Sequence, residues 1–391
     1  MSILDTAFKA SDKACEDNIV LAAMDIGSTQ TRTCIYIKTG GTGDPILLDS
    51  NYEILSRDID HISSSSDAVI SNLEMIIDDV TEGKDKFVFK ESTHILKGDL
   101  LSNVTTSRQI TASSVSKVDQ EATYINAVAN TALAVLDWYS NIGAPKGEPV
   151  VKLEISLPPE DTKFKSRLNL FMQRLAGSYK VAFPRLNTAV TFSISKESNV
   201  ISEPEAVSVF LTATKKITDD DADSVICVLD IGGRSTGITF LDNKVLLADS
   251  CVTVPVGGSR LLSLLGRNIA SEFNIQEPTS ARLMKALTTG KFKIGAKALD
   301  ITQAITDAKK EFANIVFSEL LGAIDLNGIQ MQNIAKVFCS GRTFADAEGI
   351  TSLRDILADA CKNTSEYTEF CKVDADTPIL TGLLYHGIMY A

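Results

Sequence analysis

The sequence predicts an α/β protein of two pseudo-equivalent domains, because one local pattern occurs twice along its 391 residues. The pattern is an apolar strand that ends in Asp, a Gly-containing turn with hydroxyl side chains, and a second strand. It reads IVLAAMDIGSTQTRTCIYI over 19–37 and VICVLDIGGRSTGITF over 225–240. The two aspartates, Asp25 and Asp230, lie 205 positions apart, whereas solenoid repeats recur every roughly 20–50 residues. A duplicated domain explains the spacing best.

Each copy of the pattern predicts a β-hairpin that can bind phosphate. In the second copy an apolar, β-branched run leads into Asp230 and is followed by Gly232 and Gly233. We expect glycine there because the backbone of such a turn adopts φ values that side-chain-bearing residues resist. Amides gathered in a turn form a nest for an anion, and a neighbouring carboxylate can hold a hydrated cation. The chemistry predicted is phosphate together with Mg²⁺.

Composition is that of a cytoplasmic protein with two ordinary cores. The hydrophobic content of 44% is sufficient for two domains. No apolar run approaches the roughly 18 residues that a membrane span requires, and no secretory signal pattern is present. The seven cysteines form no CxxC pair and the three histidines share no metal-ligand spacing. We therefore expect a reducing, cytoplasmic environment and no membrane contact.

The net charge of −12 argues against direct binding to nucleic acid. Affinity for a phosphate backbone comes from Lys and Arg side chains that displace counterions. If the protein acts on DNA, we expect a basic adaptor protein to make the contact.

The elements of the first domain follow from hydrophobic periodicity and its breaks. We expect an N-terminal extension over 1–18 and domain I over 19–220. From about 46 to 114 the pattern is irregular, which predicts a compact inserted subdomain with a helix over 66–80. The elements expected after it are helix 120–139, strand 150–157, helix 163–174 and a helix that begins near Glu205.

A charged linker, KKITDDDADS at 215–224, precedes the second hairpin and predicts the domain boundary. Domain II is therefore expected over 221–391. Its other predicted elements are a Gly turn at 254–258 with a Leu-rich helix after it, a long helix over 300–321, a strand over 334–338 and a C-terminal helix over 377–388.

The pair MDIGSTQT and LDIGGRST resembles the two phosphate motifs of the actin, sugar kinase and heat-shock chaperone ATPase superfamily. The stretches that resemble the ParM-type plasmid-segregation actins are KVDQEATYINAVANTALAVLD at 117–137, EISLPP at 154–159, ISEPEAV at 201–207 and TGLLYHGI at 381–388. This resemblance implies an actin-like fold, in which two ribonuclease H-like sheets flank a nucleotide cleft. It also implies that each domain carries a smaller inserted subdomain, at about 46–114 and about 259–327.

The resemblance implies a site for ATP or GTP with Mg²⁺. Asp25 and Asp230 would each hold a hydrated Mg²⁺ at the terminal phosphates, although each could instead cap its own turn. The residues expected to bind the phosphates are Gly27, Ser28, Thr29, Gln30, Gly232, Gly233, Arg234 and Ser235. Two residues depart from the pattern, since Arg234 replaces a small or hydroxyl residue and Gly237 replaces an acid that many relatives have. Hydrolysis could consequently be slower.

Two glutamates compete for the role of orienting the attacking water. Glu205 aligns with the catalytic glutamate of ParM, whereas Glu203 aligns with the chaperone and MreB pattern; we favour Glu205, with Asp230 as a further catalytic candidate.

For the adenosine moiety, Ser340, Gly341 and Arg342 resemble the glycine-rich turn of relatives. Lys309 and Lys310 lie on the helix that supplies ribose or adenine contacts in those relatives, unless they are part of an exposed charged face.

The function implied is an ATPase that self-assembles into filaments with ATP or GTP and disassembles after hydrolysis. Filament growth would separate copies of plasmid DNA through a DNA-binding adaptor. The alternatives are a small-molecule kinase and a non-filamentous ATPase scaffold of the same superfamily.

Overall fold

The computed structural model describes residues 19–26, 31–36, 46–50, 52–55, 73–80, 93–97, 107–108, 116–141, 147–183, 186–221, 223–341, 343, 350–362, 364–373 and 378–389. The predicted extension over 1–18, the first turn at 27–30 and Arg342 lie outside these residues. The chain divides into two compact units. Unit 1 comprises residues 1–213 and 379–391, and unit 2 comprises residues 214–378.

The strands are β1 Ile19–Ile26, β2 Thr31–Tyr36, β3 Ile46–Ser50, β4 Tyr52–Leu55, β5 Leu73–Asp79, β6 Thr93–Lys97, β7 Ser107–Arg108, β8 Val150–Leu157, β9 Gly177–Phe183, β10 Thr188–Ile194, β11 Asn199–Ser202, β12 Val225–Ile231, β13 Thr236–Asp242, β14 Val245–Leu246, β15 Val252–Val254, β16 Lys291–Ile294, β17 Lys297–Asp300, β18 Ile334–Ser340 and β19 Glu369–Lys372. The helices are α1 Glu121–Asn141, α2 Pro159–Thr162, α3 Lys165–Leu175, α4 Glu203–Ala213, α5 Gly258–Phe273, α6 Ser280–Thr289, α7 Thr302–Leu326, α8 Leu353–Cys361 and α9 Pro378–Met389. None of the described helices is long and apolar enough to cross a membrane.

Unit 1 is built on a sheet with the order β3-β2-β1-β8-β10-β9-β5-β6-β4-β7, and β11 also pairs with β8. The predicted first hairpin is confirmed, because β1 and β2 pair antiparallel from Leu21 opposite Tyr36 to Ile26 opposite Thr31. Strand β8 lies parallel to β1 on its other side. Alternate residues of β1, including Val20 and Ala22, belong to the apolar core beneath α1.

The predicted helix over 66–80 is wrong where the structure describes it, because Leu73–Asp79 is strand β5. This strand pairs antiparallel with β9, with Ile76 opposite Ala182 and Ile77 opposite Val181. Ile77 is fully buried. The β-branched pair thus extends an existing sheet, and tertiary pairing overrides the weak helical periodicity.

The C-terminal helix α9 belongs to unit 1, whereas the sequence analysis assigned it to domain II. Its close packing explains the difference: a Cβ atom on Gly382 would lie 1.8 Å from the Ala206 carbonyl oxygen of α4. Further along, His386 Nδ1 lies 2.9 Å from Oε2 of the fully buried Glu154. Oε1 of Glu154 accepts a hydrogen bond from Asn199 Nδ2 at 2.8 Å. These contacts join α9 to α4 and to β8, and β8 in turn to β11.

Unit 2 is built on a smaller sheet with the order β14-β13-β12-β18-β19, and β15 pairs with β13. The second predicted hairpin is confirmed by the antiparallel pairing of β12 with β13. Strands β12, β18 and β19 are parallel, so their carboxyl ends lie at one edge of the sheet. Helices α5 and α7 cover a core that includes Leu229, Leu265 and Phe312. Strands β16 and β17 form a separate hairpin.

Candidate functional site

Asp25 lies near the end of β1, and its carboxylate contacts the neighbouring strand β8. Oδ1 accepts a hydrogen bond from Ser156 Oγ of β8 at 3.0 Å. Burial raises the pKa of Asp25 above its ordinary value, and the charge of Lys117, the Ser156 hydrogen bond and the charge of Arg32 oppose that rise. The four phosphate-binding candidates of this hairpin, Gly27, Ser28, Thr29 and Gln30, lie outside the described residues.

Lys117 is a site residue that the sequence analysis missed. Its buried ammonium donates to the carbonyl oxygen of Ile26, the last residue of β1, at 2.5 Å. Nζ also lies 3.4 Å from Glu203 Oε1, at the first residue of α4. A positive charge is thereby fixed where β1 leads into the first turn. The sequence carried no local signal for this role, since Lys117 only precedes α1 and is separated from Ile26 by 91 positions.

Asp161 holds the backbone that presents Lys117. Its Oδ1 accepts a hydrogen bond from Ser116 Oγ, and its Oδ2 accepts from the amide of Lys117 at 3.2 Å. Asp161 follows β8 in the short helix α2 and is buried. Burial raises the pKa of Asp161, and the two hydrogen bonds counteract part of that rise. The lysine is therefore positioned by a buried acid, not only by its own contacts.

The two candidate catalytic glutamates have different surroundings. Glu205 Oε2 accepts from the amide of Ser202 at 3.3 Å, and Ser202 Oγ accepts from the amide of Glu205 at 3.3 Å. This reciprocal pair is a capping box, which stabilises the amino end of a helix. The side chain of Glu203, which is 15% exposed, faces Lys117 instead. The geometry thus gives Glu205 a role within its own helix and brings Glu203 to the Asp25 hairpin.

In unit 2, Asp230 lies at the carboxyl edge of the sheet and is 5% exposed. It pairs with Gly237 of β13 on one side and with Ser340 of β18 on the other. Gly237 contributes no side chain beside the carboxylate. The arrangement therefore brings together Asp230 and the proposed adenosine turn, which the sequence placed more than a hundred positions apart.

The turn from Gly232 to Ser235 presents backbone amides on one side. The Gly232 amide closes the turn by donating to the Ser235 carbonyl oxygen at 2.9 Å, while the carbonyl oxygens of Gly232 and Gly233 accept from the first amides of α5, at 2.9 and 2.7 Å. In a planar trans peptide the N–H points opposite to the preceding C=O. The amides of Gly233 and Arg234 therefore point away from α5, as an anion nest requires.

The expected reason for glycine in this turn is wrong, because neither Gly232 nor Gly233 has a positive φ. Close approach of another backbone is the reason the turn region needs small residues. A Cβ atom on Gly257 would lie 2.6 Å from the carbonyl carbon of Arg234. The Gly turn before α5 and the turn at 232–235 thus pack directly against each other.

The proposed adenosine turn contains a position that only glycine can occupy without strain. Gly341 has φ +105°, and a Cβ atom there would lie 2.3 Å from the Ile231 carbonyl oxygen. Ser340 is 2% exposed, and its Oγ has no hydrogen-bond partner within the described part of the chain. Thr343 Oγ1 donates to that same Ile231 oxygen at 3.2 Å. A ligand hydroxyl or ring nitrogen could satisfy Ser340.

Lys309 and Lys310 differ in their exposure. Lys309 is fully buried, and its Nζ donates to the Thr351 carbonyl oxygen at 3.0 Å. The alternative that Lys309 belongs to an exposed charged face is therefore wrong, whereas Lys310 is exposed. The contact with Thr351 joins α7 to the start of α8.

Asp25 in unit 1 and Asp230 in unit 2 each offer the hard carboxylate oxygens that a hydrated Mg²⁺ prefers. In the residues that the structure describes, no group of three or more His, Cys, Asp or Glu side chains could hold a metal ion. A Mg²⁺ here would complete its coordination with phosphate oxygens and water, which is its usual behaviour in nucleotide sites.

The family model "Archaeal actin homologue MreB-like, C-terminal" matches residues 228–341. No curated protein matches the chain. Among solved structures, the archaeal actin homologue Ta0583 shares 13% identity and a TM-score of 0.65, covering 95% of this chain and 100% of that one. A 15-stranded ParM filament from Clostridium botulinum and Bacillus thuringiensis ParM with ATP each share 15% identity and a TM-score of 0.63, covering 95% of this chain and 99% of theirs. At these identities the likeness shows the fold.

Proposed function

Because the chain has the fold of the actin-like ATPase superfamily, we propose that it is a filament-forming ATPase that binds and hydrolyses ATP or GTP with Mg²⁺. The observation that carries the proposal is one arrangement repeated in both units. An aspartate is the penultimate residue of the first strand of a hairpin. In unit 2 the amides of the turn at 232–235 are aligned for an anion.

In this proposal the phosphates are bound by backbone amides and one lysine. The amides of Gly233 and Arg234 would donate to phosphate oxygens, and the ammonium of Lys117 would offset their charge. Asp25 and Asp230 would hold water molecules of a Mg²⁺ ion, which neutralises charge at the terminal phosphates. The turn at Ser340 and Gly341 would contact the adenosine.

We assign the water-orienting role to Glu203 rather than to Glu205. A carboxylate that faces Lys117 can accept a proton from the attacking water as its oxygen bonds to the γ-phosphorus and the bond to the β-phosphate oxygen breaks. The carboxylate of Glu205 is already engaged with the Ser202 amide. Lys117 would orient the Glu203 carboxylate through their 3.4 Å contact.

Assembly into filaments, with plasmid DNA as cargo, is the cellular role that we propose. A similar fold occurs in a protein whose structure is a 15-stranded ParM filament. The net charge of −12 supports a basic adaptor between filament and DNA. Hydrolysis would limit the lifetime of the filament and let it do mechanical work.

The test is light scattering and sedimentation of the protein with Mg²⁺-ATP, Mg²⁺-GTP or Mg²⁺-ADP, with phosphate release followed in the same sample. We expect scattering to rise with a triphosphate and to decay as phosphate appears, and Asp230→Ala to abolish both signals. Phosphate release without scattering would instead support a kinase or a non-filamentous scaffold. The absence of both signals would overturn the ATPase itself.

A further inference from the structure

We propose that Thr253 is a positioning residue for Asp230, because the two side chains hold one water molecule between them. Asp230 lies on β12, Thr253 lies on β15, and Gly237 of β13 lies between them. We call the space between the two side chains, over Gly237, the Gly237 gap. The importance of this water for Mg²⁺ rests on the proposed function, whereas the water site itself does not.

Strand register places Asp230 and Thr253 on the same face of the unit 2 sheet. Asp230 is paired with Gly237, and Gly237 is paired with Thr253. Residues directly opposite each other on neighbouring strands project from the same face. The neighbours of Thr253 agree with this orientation, since Val252 and Val254 pack with the core on the other face. The Asp230 and Thr253 side chains therefore flank a position at which Gly237 supplies none.

The hydroxyl group of Thr253 is buried and requires a partner. Its Oγ1 has no hydrogen-bond partner within the described part of the chain. A buried hydroxyl that makes no hydrogen bond is costly, so most such groups bond to protein or to ordered water. The Asp230 side of the gap is enclosed as well, because Asp230 is 5% exposed. A bound water molecule supplies the partner that Thr253 needs.

The next threonine of this face shows what glycine changes. Thr239 lies two residues after Gly237 on β13, so its side chain projects from the same face. Thr239 Oγ1 lies 3.0 Å from Cys251 Sγ and 3.4 Å from Ser250 Oγ. A buried threonine here finds its partner in the neighbouring chain segment. Thr253 lacks such a partner because the residue opposite it is glycine.

The spacing of the strands suits one water molecule. Asp230 and Thr253 are two strand spacings apart, which is about 10 Å between their backbones. Part of this interval is taken up by the two side chains. A water molecule that bonds to an oxygen on each side spans about 5.5 Å, at about 2.8 Å for each bond. A buried water needs roughly two to four polar partners, and the carboxylate and the hydroxyl supply two of them.

This water molecule would orient the Asp230 carboxylate. It accepts a hydrogen bond from the Thr253 hydroxyl and donates one to a carboxylate oxygen. The bond restricts rotation of the group that would hold the water molecules of Mg²⁺. Loss of a group that orients a metal-binding side chain typically costs about 10- to 100-fold in metal affinity. Thr253 would thus strengthen Mg²⁺ binding without contacting the ion.

The first experiment is the melting temperature of the nucleotide-free protein, which tests the water site alone. Thr253→Val removes the hydroxyl and should lower the melting temperature by about 2–4 °C, because the water loses a partner. The matched control is Thr191→Val, at an exposed strand position of unit 1, which should cause no decrease. A higher melting temperature for Thr253→Val would overturn the water site, since valine is the better residue only if the buried hydroxyl makes no hydrogen bond.

The second experiment measures Mg²⁺ affinity through the binding of a fluorescent, non-hydrolysable ATP analogue. Thr253→Val should weaken the apparent Mg²⁺ affinity about tenfold. Thr253→Ser should retain it, because serine keeps the hydroxyl. Gly237→Ala places a Cβ atom in the gap and should have the same effect as Thr253→Val. The double variant should be no weaker than either single variant, because both changes remove the same water.

Three outcomes would overturn the positioning role of Thr253. They are an unchanged Mg²⁺ affinity in Thr253→Val, a loss in Thr253→Ser as large as that in Thr253→Val, and additive losses in the double variant. Failure of the unmodified protein to bind the analogue at any Mg²⁺ concentration would overturn the proposed function and, with it, the role toward Mg²⁺. The melting temperatures would still decide whether the water site exists.

Discussion

Two glutamates on one helical turn show how a single neighbouring amide or ammonium group determines the role of a carboxylate. Glu203 and Glu205 are separated only by Pro204, yet one faces the ammonium of Lys117 and the other faces the Ser202 amide of its own helix. The first faces the Asp25 hairpin, where the ligand is proposed to bind. The second already contributes to the stability of α4.

We therefore expect Glu203→Gln to slow phosphate release about 10²- to 10⁴-fold, because the amide cannot accept the proton of the attacking water. Glu205→Gln should retain hydrolysis, since Gln can still accept from the Ser202 amide in a capping box. Glu205→Ala should lower the free energy of unfolding by about 1 kcal/mol. Single-turnover phosphate release and urea unfolding measure the two effects. Slow release in Glu205→Gln with normal release in Glu203→Gln would reverse the assignment.

Asp25 gives a prediction about pH. Its pKa in the folded protein is raised above the ordinary 3.8, mainly by burial. The carboxylate therefore disfavours the folded state once pH rises above the unfolded pKa, and this destabilisation is complete above the folded pKa. Asp25→Asn should raise the melting temperature of the nucleotide-free protein at about pH 7 and lose that advantage towards about pH 4. A lower melting temperature at both pH values would show that attraction to Lys117 outweighs burial.

At the scale of elements, glycines mark where backbones approach each other. Gly341 combines φ +105° with a Cβ position 2.3 Å from the Ile231 oxygen, whereas Gly322 lies on the exposed side of α7 with open space around it. Gly341→Ala should cost about 3 kcal/mol or more in the free energy of unfolding. Gly322→Ala should add about 0.5–1 kcal/mol, because alanine favours a helix. Equal changes in the free energy of unfolding for the two variants, measured in urea, would contradict the close backbone approach at Gly341.

The contact between α9 and α4 links the end of the chain to the proposed catalytic helix. A Cβ atom on Gly382 would displace Ala206, three residues after Glu203. We expect Gly382→Ala to destabilise the protein by about 2–4 kcal/mol and also to slow phosphate release in the fraction that remains folded. Met389→Ala, at the half-exposed end of the same helix, is the control and should change neither. Normal phosphate release by folded Gly382→Ala would show that the packing of α9 on α4 does not affect the catalytic site.

At the scale of the whole molecule, the elements that were predicted correctly are those that a local sequence pattern determines. Both hairpins and the strand at 150–157 are confirmed, because apolar β-branched runs bounded by Asp, Gly or Pro have few alternatives. The helix predicted over 66–80 failed because pairing with β9 is a long-range effect. The assignment of α9 to the second domain differed for the same reason, since packing on Ala206 has no signature in the last residues of the chain.

The candidate site was predictable in part. The two aspartates and the second turn carried a repeated local motif, but Lys117 and Asp161 reach the site only through folding. The spacing Ser202-x-x-Glu205 was a legible capping-box signal and could have redirected attention to Glu203 from the sequence alone. The side of a turn on which amides point depends on which carbonyls are already bonded, as at Gly232 and Gly233, and no sequence pattern reports that.

The division of the chain also has a consequence for modularity. Unit 2 is one uninterrupted piece, 214–378, and the chain enters it after α4 and leaves it before α9. Those two helices contact each other at Gly382 and Ala206. Unit 2 is therefore an insertion in the chain between two helices of unit 1 that pack together. We expect such an insert to fold by itself, because it has its own core. We expect a fragment of residues 214–378 to unfold cooperatively in urea, and a non-cooperative transition would show that it needs the rest of the chain.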